Sequence, residues 1–380
     1  MIRLRGMTWG HRRAIDPLIG TVAEFCTANP GLDIQWSSRP LSGFEFQPVA
    51  DLAQSYDLII LDHPFMGDAQ KKGYLADLAF MLAGTDDDYM GPSLATYRCG
   101  EAIFAVPVDA SCQVSVYRPD LMQRLAATPP RSWPEVLALG ERAARYGLRL
   151  AISFSGVHSL MTFFTLMASL GHPCAQSPGE VFCDRSAASH ALGLMRALAG
   201  FCPPDIFSWN SIALHEAMAD GEDLAYCPAV YCYATYAETD RRRPLRFADL
   251  PGAASPSPRG STIGGTGLAI SAACKAPEAA FAYARFVARA ATQLSFALLH
   301  GQPARIEAWH DNAIDHRFNG AYSATRATLE GSWVRPRYAG YLAFQKCGGD
   351  LIEQHLRGNL EQGALLNALE TSFVESGNQT

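Results

Sequence analysis

Val106-Pro107-Val108-Asp109-Ala110-Ser111-Cys112-Gln113-Val114-Ser115-Val116-Tyr117-Arg118-Pro119-Asp120-Leu121 is an extended run rich in β-branched residues, interrupted by Pro107 and Asp109 and followed by a helix start. It reads as a strand that crosses between two lobes. Ahead of it, strand-like and helical runs alternate: Ile2 to Met7, Pro17 to Thr27, Asp33 to Trp36 and Tyr56 to Asp62. Such alternation predicts a parallel sheet with helices on both faces. The middle of Tyr56-Asp57-Leu58-Ile59-Ile60-Leu61-Asp62 is continuously apolar, as a strand buried on both faces should be.

Behind the crossing strand a second α/β unit is legible. Ser132-Trp133-Pro134-Glu135 is a capping box with Pro in the first turn, Val136, Leu137, Gly140, Ala143 and Ala144 follow at helical spacing, and Gly147 is placed to end that helix. Leu150 to Ser153 reads as a strand feeding the Ser155-Gly156-Val157-His158-Ser159 turn, with a helix from Leu160 to Leu170. Pro251 to Gly260, with three prolines and two glycines, is the clearest loop, and the chain is expected to return to the first lobe there. Gly264-Gly265-Thr266-Gly267 lacks the Lys-Ser/Thr of a phosphate loop and precedes a strand, Leu268-Ala269-Ile270, so it reads as a second crossing. Pro277 opens a helix with Ala280, Phe281, Ala284, Val287 and Ala288 on one side, and the rest is mostly helical to Phe373.

At 380 residues, 48% of them hydrophobic, the chain is too long for one ordinary core and fits two. With 18% charged residues, a net charge of −6 and no long basic run, a surface for nucleic acid is not expected, and no apolar stretch reaches the roughly 18 residues of a membrane span. Met1 to Trp9 already reads as a first strand with no export segment ahead of it. Ten scattered cysteines are expected to be free thiols, which favours a reducing cytoplasm if Met1 is the native start. Cys227 and Cys232 lack zinc-ligand spacing and a neighbouring His, and no nucleophile elbow, Walker motif, Cys-x-x-Cys or His-Glu-x-x-His is present. Neither metal nor cofactor is expected.

In open α/β sheets ligands bind beyond the carboxyl ends of the strands, which selects the candidate residues. Trp9 could stack on a ring while His11 and Arg12 hydrogen-bond; the bland alternative is a packing indole and a solvated basic pair. Asp62, followed by His63 and Phe65, could accept two ligand hydroxyls, or His63 could serve only its own loop. Asp109 is either a carboxylate on a cleft floor or an acceptor that steadies a hinge. Ser155, His158 and Ser159 could present free helix N–H groups, or Ser155 could be a plain cap. Tyr226 and Tyr231, in Tyr226-Cys227-Pro228-Ala229-Val230-Tyr231-Cys232-Tyr233, could wall a flat ligand or simply belong to a core strand.

Taken together, the Asp109 crossing, the Trp133-Pro134-Glu135 helix start and the Gly264-Gly265-Thr266-Gly267 crossing resemble family 1 extracellular solute-binding proteins, the sugar-capturing subunits of ABC importers. The resemblance implies an α/β, two-lobe periplasmic-binding-protein-like fold of type II, each lobe a mostly parallel sheet flanked by helices. It implies lobes of residues 1–110 plus 264–315 and 111–263 plus 316–380, hinge closure on a ligand in the cleft between them, and Gly264, Gly265 and Thr266 near that ligand. Gly301-Gln302-Pro303-Ala304-Arg305 matches a short family turn, which adds Gln302 and Arg305 as ligand candidates. A carbohydrate or sugar derivative is the implied ligand, permease subunits are the implied partners of an exported monomer, and the family is periplasmic. The alternatives are a cytoplasmic enzyme on the same scaffold, using His11, Asp62, His63 and Asp109 for acid–base chemistry such as isomerisation or dehydration, and a metabolite sensor.

Overall fold

The computed structural model of the chain describes residues 1–41, 43, 47–252 and 259–378. The described strands are β1 (Ile2–Trp9), β2 (Leu32–Arg39), β3 (Leu58–Leu61), the short hairpin β4 (Arg98–Cys99) and β5 (Ala102–Ile103), β6 (Val106–Tyr117), β7 (Arg149–Leu150), β8 (Leu224–Tyr231), β9 (Arg246–Ala248) and β10 (Ile263–Ile270). Two compact units emerge: Met1–Ala110 with Gly264–Ile314 and Arg337–Ala339, and Ser111–Ile263 with Asp315–Pro336 and Gly340–Thr380. β6 therefore begins among residues of one unit and ends among residues of the other. Of the predicted loop from Pro251 to Gly260, residues 253–258 lie outside the described residues.

In the first unit the strand order is β2-β1-β3-β10, with the opening residues of β6 beside β10. β1 pairs in parallel with β2 from Ile2↔Leu32 to Trp9↔Arg39 and in parallel with β3, whereas β10 returns antiparallel to β3. All four residues of β3 are buried, which is what its unbroken Leu-Ile-Ile-Leu run requires. Gly265 is a point of close backbone approach in this sheet. Its φ is +95°, and a Cβ there would lie 2.4 Å from the Asp109 carbonyl oxygen. The glycine thus lets β10 approach the β6 backbone, a job no L-residue does without strain. Gly265→Ala is expected to cost roughly 2 kcal/mol in chemical unfolding, and a change under about 0.5 kcal/mol would show that the strands separate freely.

In the second unit β8 pairs in parallel with β7 and antiparallel with β6, and β9 pairs antiparallel with β6. Ser132 caps the Trp133–Arg145 helix by accepting from the Glu135 amide, and Gly147, at φ +68°, follows its end, both as predicted. The predicted strand at Leu150 to Ser153 shrinks to β7, and the helix expected from Leu160 starts three residues earlier, spanning Val157–Ser169. That helix is buried from Val157 to Met167 on every side, and so has no polar face for periodicity to detect. It packs on the Tyr341–Leu356 helix, where a Cβ on Gly349 would come within 2.6 Å of the Gly156 carbonyl oxygen. Phe163, Phe164, Phe182, Phe344 and Phe373 fill the adjoining core, with Phe182 centred 5.1 Å from both Phe344 and Phe373.

Candidate functional site

At the carboxyl end of β1 the chain turns through Gly10 and His11 into the Arg12–Ala28 helix. His11 is the N-cap of that helix: its Nδ1 accepts from the Arg13 amide at 3.1 Å. Arg12 lies on the outer side, its Nη2 2.6 Å from His300 Nε2. Arg13 turns inward, 5% exposed, and grips Asp109 with two bonds, Nε to Oδ2 at 2.6 Å and Nη2 to Oδ1 at 2.5 Å. Burial raises the Asp109 carboxyl above the ordinary carboxylate range while Arg13 draws it back. Asp109 is 6% exposed, and both its carboxylate oxygens are taken up by the Arg13 guanidinium. Trp9, Arg13, Asp109 and Thr266 share a cavity of about 10 Å³ with apolar residues that include Pro17, Ile60 and Phe296. That is room for about one water. Trp9 itself is 3% exposed and packs as a core residue.

At the end of β3, Asp62 caps a single 3₁₀ turn, His63–Phe65, accepting from the His63 amide at 2.8 Å and lying 2.9 Å from His63 Nδ1. His63 and Phe65 are buried, which removes them from any surface, whereas the Asp62 side chain remains 24% exposed. Gln302, expected near ligand, is buried and holds the crossing strand instead: its Nε2 donates to the Ala110 carbonyl at 2.8 Å and its own carbonyl accepts from the Ala110 amide at 2.9 Å. Arg305 is committed to Asp88 and Glu307, at 2.9 and 2.7 Å, and lies over the Tyr89 ring. Gln293, which sequence reasoning passed over, is fully buried. It bonds the Pro107 carbonyl and the Ala304 and Arg305 amides, and so ties the family-like turn to the start of β6. Gly264 is half-buried and Thr266 buried; the close approach at this crossing is backbone to backbone, at Gly265.

In the second unit Gly156, not Ser155, is the N-cap residue, at φ 51°, and its amide donates to Glu353 Oε2 at 2.8 Å. Ser155 is half-buried, with its carbonyl accepting from the His158 amide. Ser159 is buried and donates to the Gly156 and Gly349 carbonyls, a packing role. His158 is buried beside Arg335; burial and the neighbouring positive charge push its pKa down to about 4. Arg335 was invisible in the sequence. It is 4% exposed and donates to Gln345 Oε1 at 2.9 Å. Gln113, in β6, donates to Thr162 at 3.3 Å, and its Oε1 has no partner among the described residues. Tyr226 belongs to the core of β8, so the predicted aromatic wall is reduced to Tyr231, which is half-buried.

The arrangement gives the enzymatic alternative no support: His11 caps a helix through Nδ1, His63 lies buried against Asp62, and Asp109 is held by Arg13. Residues 21–305 match the family described as bacterial extracellular solute-binding protein. The chain belongs to that family. A probable amino-acid ABC transporter periplasmic-binding protein of Sinorhizobium fredii is 20% identical over 311 residues, 77% of this chain and 70% of that protein. Among solved structures, maltose-bound MalE3 of T. maritima has a TM-score of 0.82 at 17% identity, over 98% of this chain and 99% of that one. A solute-binding protein of Thermotoga lettingae bound with α-D-tagatose reaches 0.84 at 14%, over 99% and 100%. Mycobacterium tuberculosis UgpB in complex with glycerophosphocholine reaches 0.82 at 16%, over 100% and 99%. At such identities these likenesses establish the fold, the two-lobe type II solute-binding architecture.

Proposed function

We propose that this chain is the substrate-binding component of an ABC importer, capturing a small polar solute, a carbohydrate or sugar derivative, and presenting it to permease subunits as a monomer. Membership of the solute-binding family carries the reading, and the ligands named for two structural neighbours, maltose and tagatose, support a carbohydrate class. Capture by hinge closure is proposed to work through the chain crossings at 110/111, 263/264, 314/315, 336/337 and 339/340. The residues assigned to the solute are ones that local structure leaves partly accessible, together with Gln113, whose Oε1 has no partner among the described residues. Asp62 supplies a carboxylate for hydroxyl donors, Tyr231 an aromatic edge, and Gln113 an amide end. Arg12 and His11, both half-buried, are assigned to the solute with Asp62.

A thermal-shift screen against sugars, polyols, sugar acids, amino acids and phosphodiesters tests this. A ligand at 100 times its dissociation constant adds about 2.7 kcal/mol of stability, so one class should stand out. Asp62→Ala should then raise the dissociation constant about tenfold, since a hydrogen bond to a charged group contributes on the order of 1.5–3 kcal/mol. Titration calorimetry on the folded variant reads that change. A silent screen, or unchanged affinity in Asp62→Ala, would sink the assignment.

A further inference from the structure

All ten cysteines are free thiols, but they are not placed at random. Cys174 and Cys183 stand at the neck of the loop that joins the Val157–Ser169 helix to the Arg185–Ala199 helix, within the second unit. One residue inside the neck, the Ala175 amide donates to the Phe182 carbonyl at 2.8 Å, so the two arms run antiparallel and bring Cys174 opposite Cys183. Opposed residues of an antiparallel pair have Cα atoms about 4.5–5.5 Å apart, inside the roughly 4.4–6.8 Å window of a disulfide.

The neck is also held from outside. Phe182 is fully buried, and its amide donates to Glu370 Oε2 at 3.1 Å; Gln176 Nε2 donates to the Val334 carbonyl at 2.7 Å; Asp184 caps the following helix through the Ala187 amide at 2.8 Å. Neither arm has freedom to carry its thiol away. The thiols act on each other unequally: a hydrogen bond from Cys174 holds the Cys183 thiol below its usual range, while burial pushes Cys174 well above. Cys183 is also the more exposed, 8% against 4%, and the loop beyond it reaches solvent, with Val181 76% exposed.

We propose that Cys174 and Cys183 form a dithiol site that reacts with an external disulfide, of the glutathione or dithiol-oxidoreductase class, and closes into an intramolecular disulfide. The Cys183 thiolate attacks one sulfur of the external disulfide, breaking its S–S bond and expelling one thiolate, which takes up a proton. Cys174 then loses its proton and attacks the Cys183 sulfur of the mixed disulfide, expelling the second thiolate. The protein gains one S–S bond and gives up two electrons and two protons, which leave on the two released thiols. Low thiolate pKa and access select Cys183 as the attacking group. Cys112 and Cys232 provide an internal contrast. They too are opposed, with the Cys232 amide donating to the Cys112 carbonyl at 3.1 Å, but each is only 2% exposed.

The test uses the unaltered, folded chain. Fully reduced protein is equilibrated with oxidised glutathione, free thiols are blocked with N-ethylmaleimide during denaturation, and peptides are mapped without reduction. The expected product is a Cys174–Cys183 link, lighter by two hydrogens, with Cys112 and Cys232 blocked. Its formation should raise the thermal transition, and oxidation should leave the transition of Cys174→Ala unshifted. Glutathione retained on Cys183 without a link, or both cysteines recovered as blocked thiols, would overturn the proposal. The mapping needs no variant, so a folding defect in Cys174→Ala does not decide it.

Discussion

Replacing Arg13 by Ala is expected to remove about 3–5 kcal/mol of stability from the unit that carries it, because the Asp109 carboxylate is then left buried without its counter-charge. Asp109→Ala should cost a similar amount by orphaning the guanidinium. The two side chains are only 4% and 6% exposed and share two short bonds, so water does not replace the lost partner. The double replacement Arg13→Met with Asp109→Leu separates removing the pair from breaking it. Apolar substitutes of similar volume are expected to restore most of the loss, since desolvation of two ions offsets much of their attraction. Urea unfolding of the two singles and the double at neutral pH gives the coupling directly. A loss below about 1 kcal/mol in either single variant would place the pair in a solvated setting and contradict its burial. The pair also borders the cavity of Trp9 and Thr266, so a ligand titration on the singles should report weakened binding through displaced strand ends, without any direct contact from Arg13.

How far the sequence leads is visible in this same pair. The crossing strand was legible because a long β-branched run has few other uses, and β6 is buried from Val106 to Val116 as such a run must be. The route by which Arg13 reaches Asp109 was available but not read. The buried positions of the first helix, Arg13, Ala14, Pro17, Leu18, Thr21 and Phe25, fall on one stripe, and a charge on an apolar stripe demands a partner. Trp9, His11 and Arg12 read from sequence as a ligand-facing cluster, because an indole and two basic side chains directly follow a strand. The Asp62-His63 step shows a different limit. From sequence, a carboxylate and an imidazole after a strand suggest chemistry; in three dimensions the carboxylate is a local cap and the imidazole lies behind it. Spacing alone cannot separate a cap from a ligand, because both use the same lone pairs. Arg335 and Gln345 carried no signal at all, since what makes them notable is a contact with each other and a neighbouring His158 from far along the chain.

Acidification should expose that last cluster. His158 has a folded pKa of about 4 against an ordinary 6.5, owing to burial and to Arg335. Above pH 6.5 the ring is neutral in both folded and unfolded chains and contributes no pH dependence. Below it the unfolded chain takes up a proton that the folded chain refuses, so stability falls with pH until the folded ring itself protonates near pH 4. The slope from this one group is about 1.4 kcal/mol per pH unit, and the full loss across the window is about 3 kcal/mol. Unfolding midpoints between pH 7 and 4 should therefore fall more steeply in the unaltered chain than in His158→Gln, where the titrating ring is gone. Arg335→Met should shift the window upward by removing the repelling charge. Equal slopes in the unaltered chain and His158→Gln would show that the ring is hydrated and the cluster open. If the slopes differ as expected, His158 is neutral across mildly acidic and neutral pH.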